Sequence, residues 1–139
     1  MKRSIACFVL AVLLLSVLAS CGARGVTFRT DTEVVTTQTK EITLLLENKS
    51  GFEIGHGYPD GLEFKVDGEW KRVEDIDADW YREDYWLTPN GNTATFTFNA
   101  GEGGLAVGEY RVQIEYRFGT GIFRSSKPHT ATVEFSVTE

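Results

Sequence analysis

Cysteine is nearly absent from this 139-residue chain, which contains only Cys7 and Cys21. Both precede Gly22, so no thiol lies in the rest of the chain. This absence excludes an internal disulfide, a cysteine metal site and a thiol nucleophile from any domain that follows. Such a domain has to be stabilised by packing.

Basic residues are outnumbered as well. The chain has 14 Lys and Arg against 20 Asp and Glu, and its formal net charge is −6. Removing the first twenty residues, which hold Lys2 and Arg3 and no acidic residue, would change that charge to −8. Nucleic acids are bound mainly through Lys and Arg contacts to phosphates, so we predict no nucleic-acid partner. The same net charge predicts repulsion from an anionic bilayer.

Recognisable catalytic motifs are also missing. His56 and His129 are the only histidines, and neither has a metal-ligand partner at helical or hairpin spacing. The glycines at 101, 103 and 104 do not form a phosphate loop, because no Lys-Ser/Thr pair follows them. No serine lies in a nucleophile elbow. We therefore predict a non-enzyme without a cofactor, and interpret Gly55-His56-Gly57 as a strand with close backbone approach or a bulge.

The longest apolar run covers residues 5–18 and is interrupted only by Ser16. A membrane-spanning helix needs about 20 apolar residues, which is more than this run contains. The run follows Lys2 and Arg3 and ends in the small residues Ala19 and Ser20. These features predict that residues 1–20 are a cleaved secretory signal rather than a transmembrane anchor.

The sequence Leu18-Ala19-Ser20-Cys21 resembles the lipobox of bacterial lipoproteins. That resemblance implies that the Cys21 thiol receives a diacylglyceryl group, and that cleavage before Cys21 frees an amine, which is often acylated too; palmitate is an expected acyl group. Two or more acyl chains anchor a protein stably to a membrane. The expected product is exported and lipid-anchored to the bacterial membrane, with its domain on the extracytoplasmic side.

The alternation of apolar and polar residues predicts short strands distributed along residues 26–139, and no convincing helical stripe is present. The clearest case covers residues 110–118, where every second residue from Tyr110 to Phe118 is apolar or aromatic. Asp67-Gly68 predicts a tight hairpin turn. Seven runs show such patterns: residues 26–28, 42–46, 62–66, 70–73, 94–98, 110–118 and 133–137. We predict an all-β, two-sheet immunoglobulin-like sandwich of about seven strands without a disulfide.

This arrangement places the domain at residues 26–139, after a lipidated cysteine and short tether at residues 21–25. The four residues between Cys21 and the first strand reach at most about 13–15 Å. We therefore expect any partner of the anchored domain to lie at the membrane surface.

Several segments together resemble a bacterial Ig-like domain found on exported proteins, often lipoproteins. The segments include Glu47-Asn48-Lys49-Ser50, the Asp-Gly-x-Trp hairpin at residues 67–70 and the Gly-x-Tyr-Arg strand start at residues 108–111. The resemblance covers nearly all of residues 26–139. It implies a fold and an exported setting, and it supplies no catalytic residues.

An acidic segment is the first candidate site. Asp75, Asp77 and Asp79 stand at alternate positions, as in a calcium loop. An EF-hand needs Gly sixth and Glu twelfth, and Trp80 and Trp86 occupy those positions here. The spacing thus excludes an EF-hand and leaves two alternatives, looser calcium binding or a solvated acidic loop.

Aromatic residues follow at once. Trp80, Tyr81, Tyr85 and Trp86 form the second candidate site. Exposed rings would stack on sugars or anchor a peptide, whereas buried rings would close one edge of the sandwich. Both alternatives stay open from the sequence.

Taken together, these patterns predict a membrane-anchored surface lipoprotein with a non-catalytic interaction module that binds another envelope protein. The alternative is a module that binds carbohydrate or calcium through residues 75–86.

Overall fold

Two facing β-sheets make up the computed structural model, which describes residues 25–32, 34–74, 85–119 and 124–139. No helix occurs in these ranges. The ten strands are β1 (Val26–Thr30), β2 (Val35–Thr36), β3 (Glu41–Asn48), β4 (Ile54–His56), β5 (Leu62–Val66), β6 (Glu69–Arg72), β7 (Trp86–Thr88), β8 (Thr93–Asn99), β9 (Gly108–Phe118) and β10 (His129–Thr138). The predicted all-β, two-sheet sandwich is confirmed.

The smaller sheet has the strand order β1-β3-β8. Its alternating sequence decides which side chains face inward: Leu44 lies opposite Phe96, and Leu46 lies opposite Phe28. All four are buried. Leu45, between them on the other face, is only half-buried.

The larger sheet has seven strands in the described ranges. Its main path is β2-β10-β9-β4-β7, while β5 pairs with β9 and β6 pairs with β5. Strand β2 runs parallel to β10, and the other pairs in this sheet are antiparallel. The predicted alternation of β9 is confirmed, because Val112 and Ile114 are fully buried while Glu115 is exposed.

The predicted hairpin turn also forms. Asp67 and Gly68 both have positive φ, 52° and 83°, which is the pattern of a type I′ turn. The turn joins β5 to β6, and Val66 lies opposite Glu69. A type I′ turn matches the right-handed twist of its two strands, so these two residues determine the register of the hairpin.

The core fills the space between the sheets. Phe28, Ile42, Ile54 and Ile114 are completely buried, and Tyr116 is 1% exposed. Every buried side-chain nitrogen and oxygen of the described residues has a hydrogen-bond partner. The sandwich is thus held by apolar packing with its few interior polar groups satisfied.

All seven sequence-predicted runs are strands or lie largely in strands. The structure adds two short strands that the sequence did not indicate, β2 and β7, and places β4 at the Gly55-His56 position. Each of the three has two or three residues, which is too short for a period of two to stand out.

The two ends of the sandwich are distinct. We call the end where β1 begins the N-terminal end; it comprises Gly25 and residues 49–53, 89–92 and 124–128. The opposite end comprises residues 31–32, 34, 37–40, 67–68 and 100–107. Strands β1 and β10 both run from the N-terminal end towards the opposite end.

Asn48 ties the loops of the N-terminal end together. Its side chain is fully buried, and its Nδ2 donates to the carbonyl oxygens of Phe52 and Thr88 at 2.7 and 2.8 Å. Its Oδ1 accepts from the Ser50 backbone N–H at 3.1 Å and from the Ser50 hydroxyl at 2.6 Å. This network explains the Asn-Lys-Ser sequence at residues 48–50.

Candidate functional site

A cleft of about 420 Å³ opens where the two sheets present their edges side by side. One wall comes from β7, which pairs only with β4 among the described strands, and the other from β8, which pairs only with β3. Tyr58, in the connection after β4, closes the cleft together with Trp86 and Phe96. We call this the edge cleft.

The edge strand β7 divides its side chains between two faces, because successive residues of a strand point in opposite directions. Trp86 is half-buried and Thr88 is 5% exposed, and both face the interior of the sandwich. Leu87, 50% exposed, lies opposite Gly55 on the outer face. Tyr85 lies on that face too, because a Cβ at Gly55 would overlap its hydroxyl.

Gly55 is therefore needed for close packing. The predicted close approach at this glycine is present, but the group that approaches is the Tyr85 side chain and not a backbone segment. A larger residue at position 55 would displace the Tyr85 ring from the sheet. No left-handed backbone is involved, because Gly55 is not among the glycines with positive φ.

His56 forms the floor of the edge cleft and is only 2% exposed. Its Nδ1 lies 2.9 Å from the Gly57 carbonyl oxygen, which can only accept, so Nδ1 carries the proton and donates. Its Nε2 then accepts from the Thr88 hydroxyl at 2.8 Å. Burial lowers the pKa of His56, and its bond to the Gly57 carbonyl opposes this shift. The ring is therefore neutral and structural at pH 7.

Aromatic rings line the cleft above this histidine. Tyr58 meets Trp86 edge to face, with ring centroids 4.4 Å apart. Phe96 meets the rings of His56 and Tyr58 at 5.7 and 6.3 Å. Such perpendicular contacts stabilise aromatic pairs. They hold Trp86 against the end of the core, which agrees with the packing alternative for this ring.

The outer face beside β7 carries a second hollow of about 320 Å³. Tyr85 is 46% exposed there, and the Arg124 guanidinium lies 4.8 Å from its ring centroid. Partial desolvation raises the pKa of Asp60, and the carboxylate of Glu115 raises it further, while Arg72 acts in the opposite direction. The hollow thus combines an apolar ring with charges of both signs.

The structure places two of the sequence-predicted aromatic residues and leaves the others undecided. Tyr85 and Trp86 face opposite sides of β7, so these two rings do not form a common platform. Trp80, Tyr81, Asp75, Asp77 and Asp79 lie outside the described residues, as does Cys21. Carbohydrate or calcium binding by residues 75–86 and lipidation of Cys21 therefore stay predictions.

Three features of the site could not be predicted from the sequence. Tyr58 was not identified as a wall of a cleft, and the hydrogen bond between His56 and Thr88 joins residues 32 positions apart. The two histidines are also closer than the sequence implies, because His56 and His129 both lie opposite Tyr116, one on each neighbouring strand. Only the strand order brings these groups together.

In the part of the chain that the structure describes, no group of three or more His, Cys, Asp or Glu side chains is arranged to hold a metal ion. Nor does that part contain a helix of the length and hydropathy needed to cross a membrane.

One of three comparisons with known proteins gives a match, and it agrees with the sandwich. No curated protein matches the chain, and no solved structure matches it. A family model described as a bacterial Ig-like domain matches residues 22–136, which include every strand from β1 to β9 and most of β10. The chain belongs to this family of bacterial Ig-like domains.

Proposed function

We propose that this protein is an exported, lipid-anchored surface protein whose Ig-like domain is a non-catalytic interaction module for another envelope protein. The contact surface in this proposal is the outer side of edge strand β7. Family membership supports the idea of an interaction module, and the anchor rests on the lipobox at Cys21.

The observation that carries the proposal is the exposure of apolar side chains on this edge strand. Tyr85 and Leu87 are 46% and 50% exposed on the same face, and β7 has one strand partner among the described residues. An open strand edge offers backbone hydrogen bonds to an extended segment. Neighbouring apolar side chains add contact area, which favours strand addition by a protein partner.

A binding role is also favoured over catalysis by the state of His56. Both ring nitrogens already have hydrogen-bond partners, and the ring is 2% exposed. A general base has to reach the proton that it removes. His56 cannot do this without breaking the contact that holds β7 against the core.

The anchoring part of the proposal agrees with the geometry of the first strand. β1 begins at Val26, and the Gly25 carbonyl accepts a hydrogen bond from the Lys49 backbone N–H at 2.6 Å. Only three residues separate Cys21 from Gly25. The domain would therefore sit directly on the membrane that holds the lipid.

Site-specific photo-cross-linking on intact cells tests the partner contact. A photoreactive residue at position 87 should capture an envelope protein, whereas the same residue at position 97 should not. Thr97 is an exposed strand residue too, on the smaller sheet, so the pair separates the β7 edge from general exposure. Equal capture at both positions, or none at position 87, would contradict the proposal.

Metabolic labelling with an alkyne analogue of palmitate tests the anchor separately. The wild-type protein and a Cys7→Ser variant should be labelled, and a Cys21→Ser variant should lose the label. Retention of the label by Cys21→Ser would show that the lipid is attached elsewhere.

A further inference from the structure

Charge is unevenly distributed between the two ends of the sandwich. The described connections at the N-terminal end carry Lys49, Arg124 and Lys127 against a single carboxylate, Glu53. The three cations are exposed, and Glu53 is half-buried. The described connections at the opposite end carry Asp31, Asp67 and Glu102 against a single cation, Lys40.

The N-terminal end also presents an apolar side chain. Phe52 is 65% exposed, and its ring meets that of Phe118 edge to face at 6.2 Å. Its loop is nevertheless fixed, because its carbonyl accepts from Asn48 and its N–H donates to the Ser50 hydroxyl at 3.3 Å. Gly51 donates its N–H to the Asn90 side chain at 2.8 Å. The loop thus holds the phenyl ring out from the domain.

From this arrangement we propose that the N-terminal end docks on an anionic bilayer, with Phe52 entering the headgroup region and Lys49 and Lys127 contacting lipid phosphates. The inference deepens the proposed function, since it rests on the lipid at Cys21. Gly25 lies at this same end, so a short tether brings this surface to the membrane before any other.

Screening explains why the net negative charge does not prevent docking. At physiological ionic strength, charges interact strongly with a surface only within about 8 Å. The eleven-residue strand β9 separates the two ends by about 30 Å. The basic end therefore experiences the lipid charge, while the acidic end is screened and is held on the outer side. The repulsion expected from the net charge therefore orients the domain with its acidic end away from the bilayer and does not prevent the basic end from docking.

Both features match known modes of membrane contact. Basic clusters beside a lipid anchor are attracted to anionic lipids, and apolar side chains such as Phe enter the boundary between headgroups and acyl chains in peripheral membrane proteins. Docking would fix the orientation of the anchored domain relative to the membrane. In that orientation the β7 edge lies beside the bilayer and stays available to a membrane-surface partner.

Tryptophan fluorescence on vesicles tests the orientation. The chain beginning at Cys21 has one thiol, which can be coupled to a maleimide phospholipid in vesicles that contain brominated phosphatidylcholine as a quencher. A Phe52→Trp variant should show at least about two-fold more quenching of its added emission when phosphatidylglycerol is present, because basic residues are drawn to anionic lipid. The matched variant Val107→Trp, at a 53% exposed site of the opposite end, should show no change.

Charge reversal supplies the second arm. In the Phe52→Trp background, Lys49→Glu with Lys127→Glu should remove the effect of phosphatidylglycerol. Lys40→Glu with Lys71→Glu changes the net charge equally at exposed positions away from this end and should preserve it. Far-UV circular dichroism checks that every variant is folded.

Three outcomes would overturn the proposal: no effect of phosphatidylglycerol on Phe52→Trp, equal quenching of Val107→Trp, or equal losses in the two charge-reversed variants. Because the lipid is attached chemically, these results do not depend on lipidation in cells or on any protein partner. Failure of docking and failure of the proposed function can therefore be told apart.

Discussion

Strands β9 and β7 belong to the same sheet and are held in different ways. β9 has eleven residues, is flanked on one side by β10 and on the other by β4 and β5, and buries Val112 and Ile114 completely. β7 has three residues and one described strand partner, and it exposes Leu87. Its position depends on contacts to Thr88, whose hydroxyl donates to His56 and whose carbonyl accepts from Asn48. The centre of the sheet is thus secured by its own ladder and core, and the edge by a few side chains.

The largest expected effect concerns the central strand. Ile114→Ala should lower the free energy of unfolding by about 3–4 kcal/mol, because it leaves a cavity in a closely packed core. Urea denaturation followed by circular dichroism measures the change. Thr132→Ala on the outer face of the neighbouring strand β10 is the control and should cost far less. Similar losses in both variants would mean that β9 does not owe its stability to inward packing.

The next effect tests the side chains that hold the edge. Asn48→Ala should lower the free energy of unfolding by about 2–3 kcal/mol, because it removes the side-chain donor of the Thr88 carbonyl and the acceptor of the Ser50 N–H. The same denaturation measures the change. Asn92→Ala, at an exposed position of the same end, should be close to neutral. A neutral Asn48→Ala would show that the network adds little to the edge.

The edge should also respond to pH through His56. Its pKa is lowered in the folded state by burial, so the unfolded chain binds the proton more readily and stability rises with pH. The contribution is fully present above the unfolded pKa of about 6.5. This contribution is lost as the pH falls from about 6.5 towards the folded pKa. Its full size is about 1.4 kcal/mol for each pH unit by which folding lowers the pKa of His56.

Denaturation at several pH values between neutrality and pH 5 tests this response. Replacing the imidazole by an amide, His56→Gln, should flatten the pH dependence in that window, while His129→Gln should leave the His56 contribution in place. An unchanged slope in His56→Gln would assign the pH dependence to other groups.

The smallest effect on stability is expected at the exposed face of β7. Leu87→Lys should change the free energy of unfolding by less than about 0.5 kcal/mol, as is usual for exposed positions. It should nevertheless abolish capture of a partner by a photoreactive residue at position 85, because the charge interrupts the apolar edge. A large loss of stability would instead make Leu87 part of the packed structure and would weaken the case for a binding edge.

The difference between the two strands also explains what the sequence could predict. In β9 five alternating residues point inward, so the period of two is plain, and the same holds for β3, β8 and β10. The Asp67-Gly68 turn was predictable because its backbone conformation restricts the residue types. The fold class followed from these local signals.

The candidate site was less accessible to prediction. Tyr85 and Trp86 are neighbours in sequence, so their side chains lie on opposite faces of the strand. Which of the two rings points inward is decided only by the pairing of β7 with β4. The link between His56 and Thr88 depends on strand order, which no local pattern encodes. In the sequence Asn48 resembles an ordinary turn residue, and its role in the loop network depends on the Thr88 carbonyl, which lies 40 positions away in sequence. Contacts between distant strands could not be predicted from the sequence, because they depend on the topology of the sheets.

The bond between Gly25 and Lys49 has a mechanical consequence. β1 lies antiparallel to β3 from Val26, opposite Asn48, to Thr30, opposite Leu44. A force that pulls Gly25 away along the strand axis would load the hydrogen bonds between β1 and β3 together, in shear, instead of opening them one after another. A domain held by its first strand in this way resists extraction at the point where the load enters.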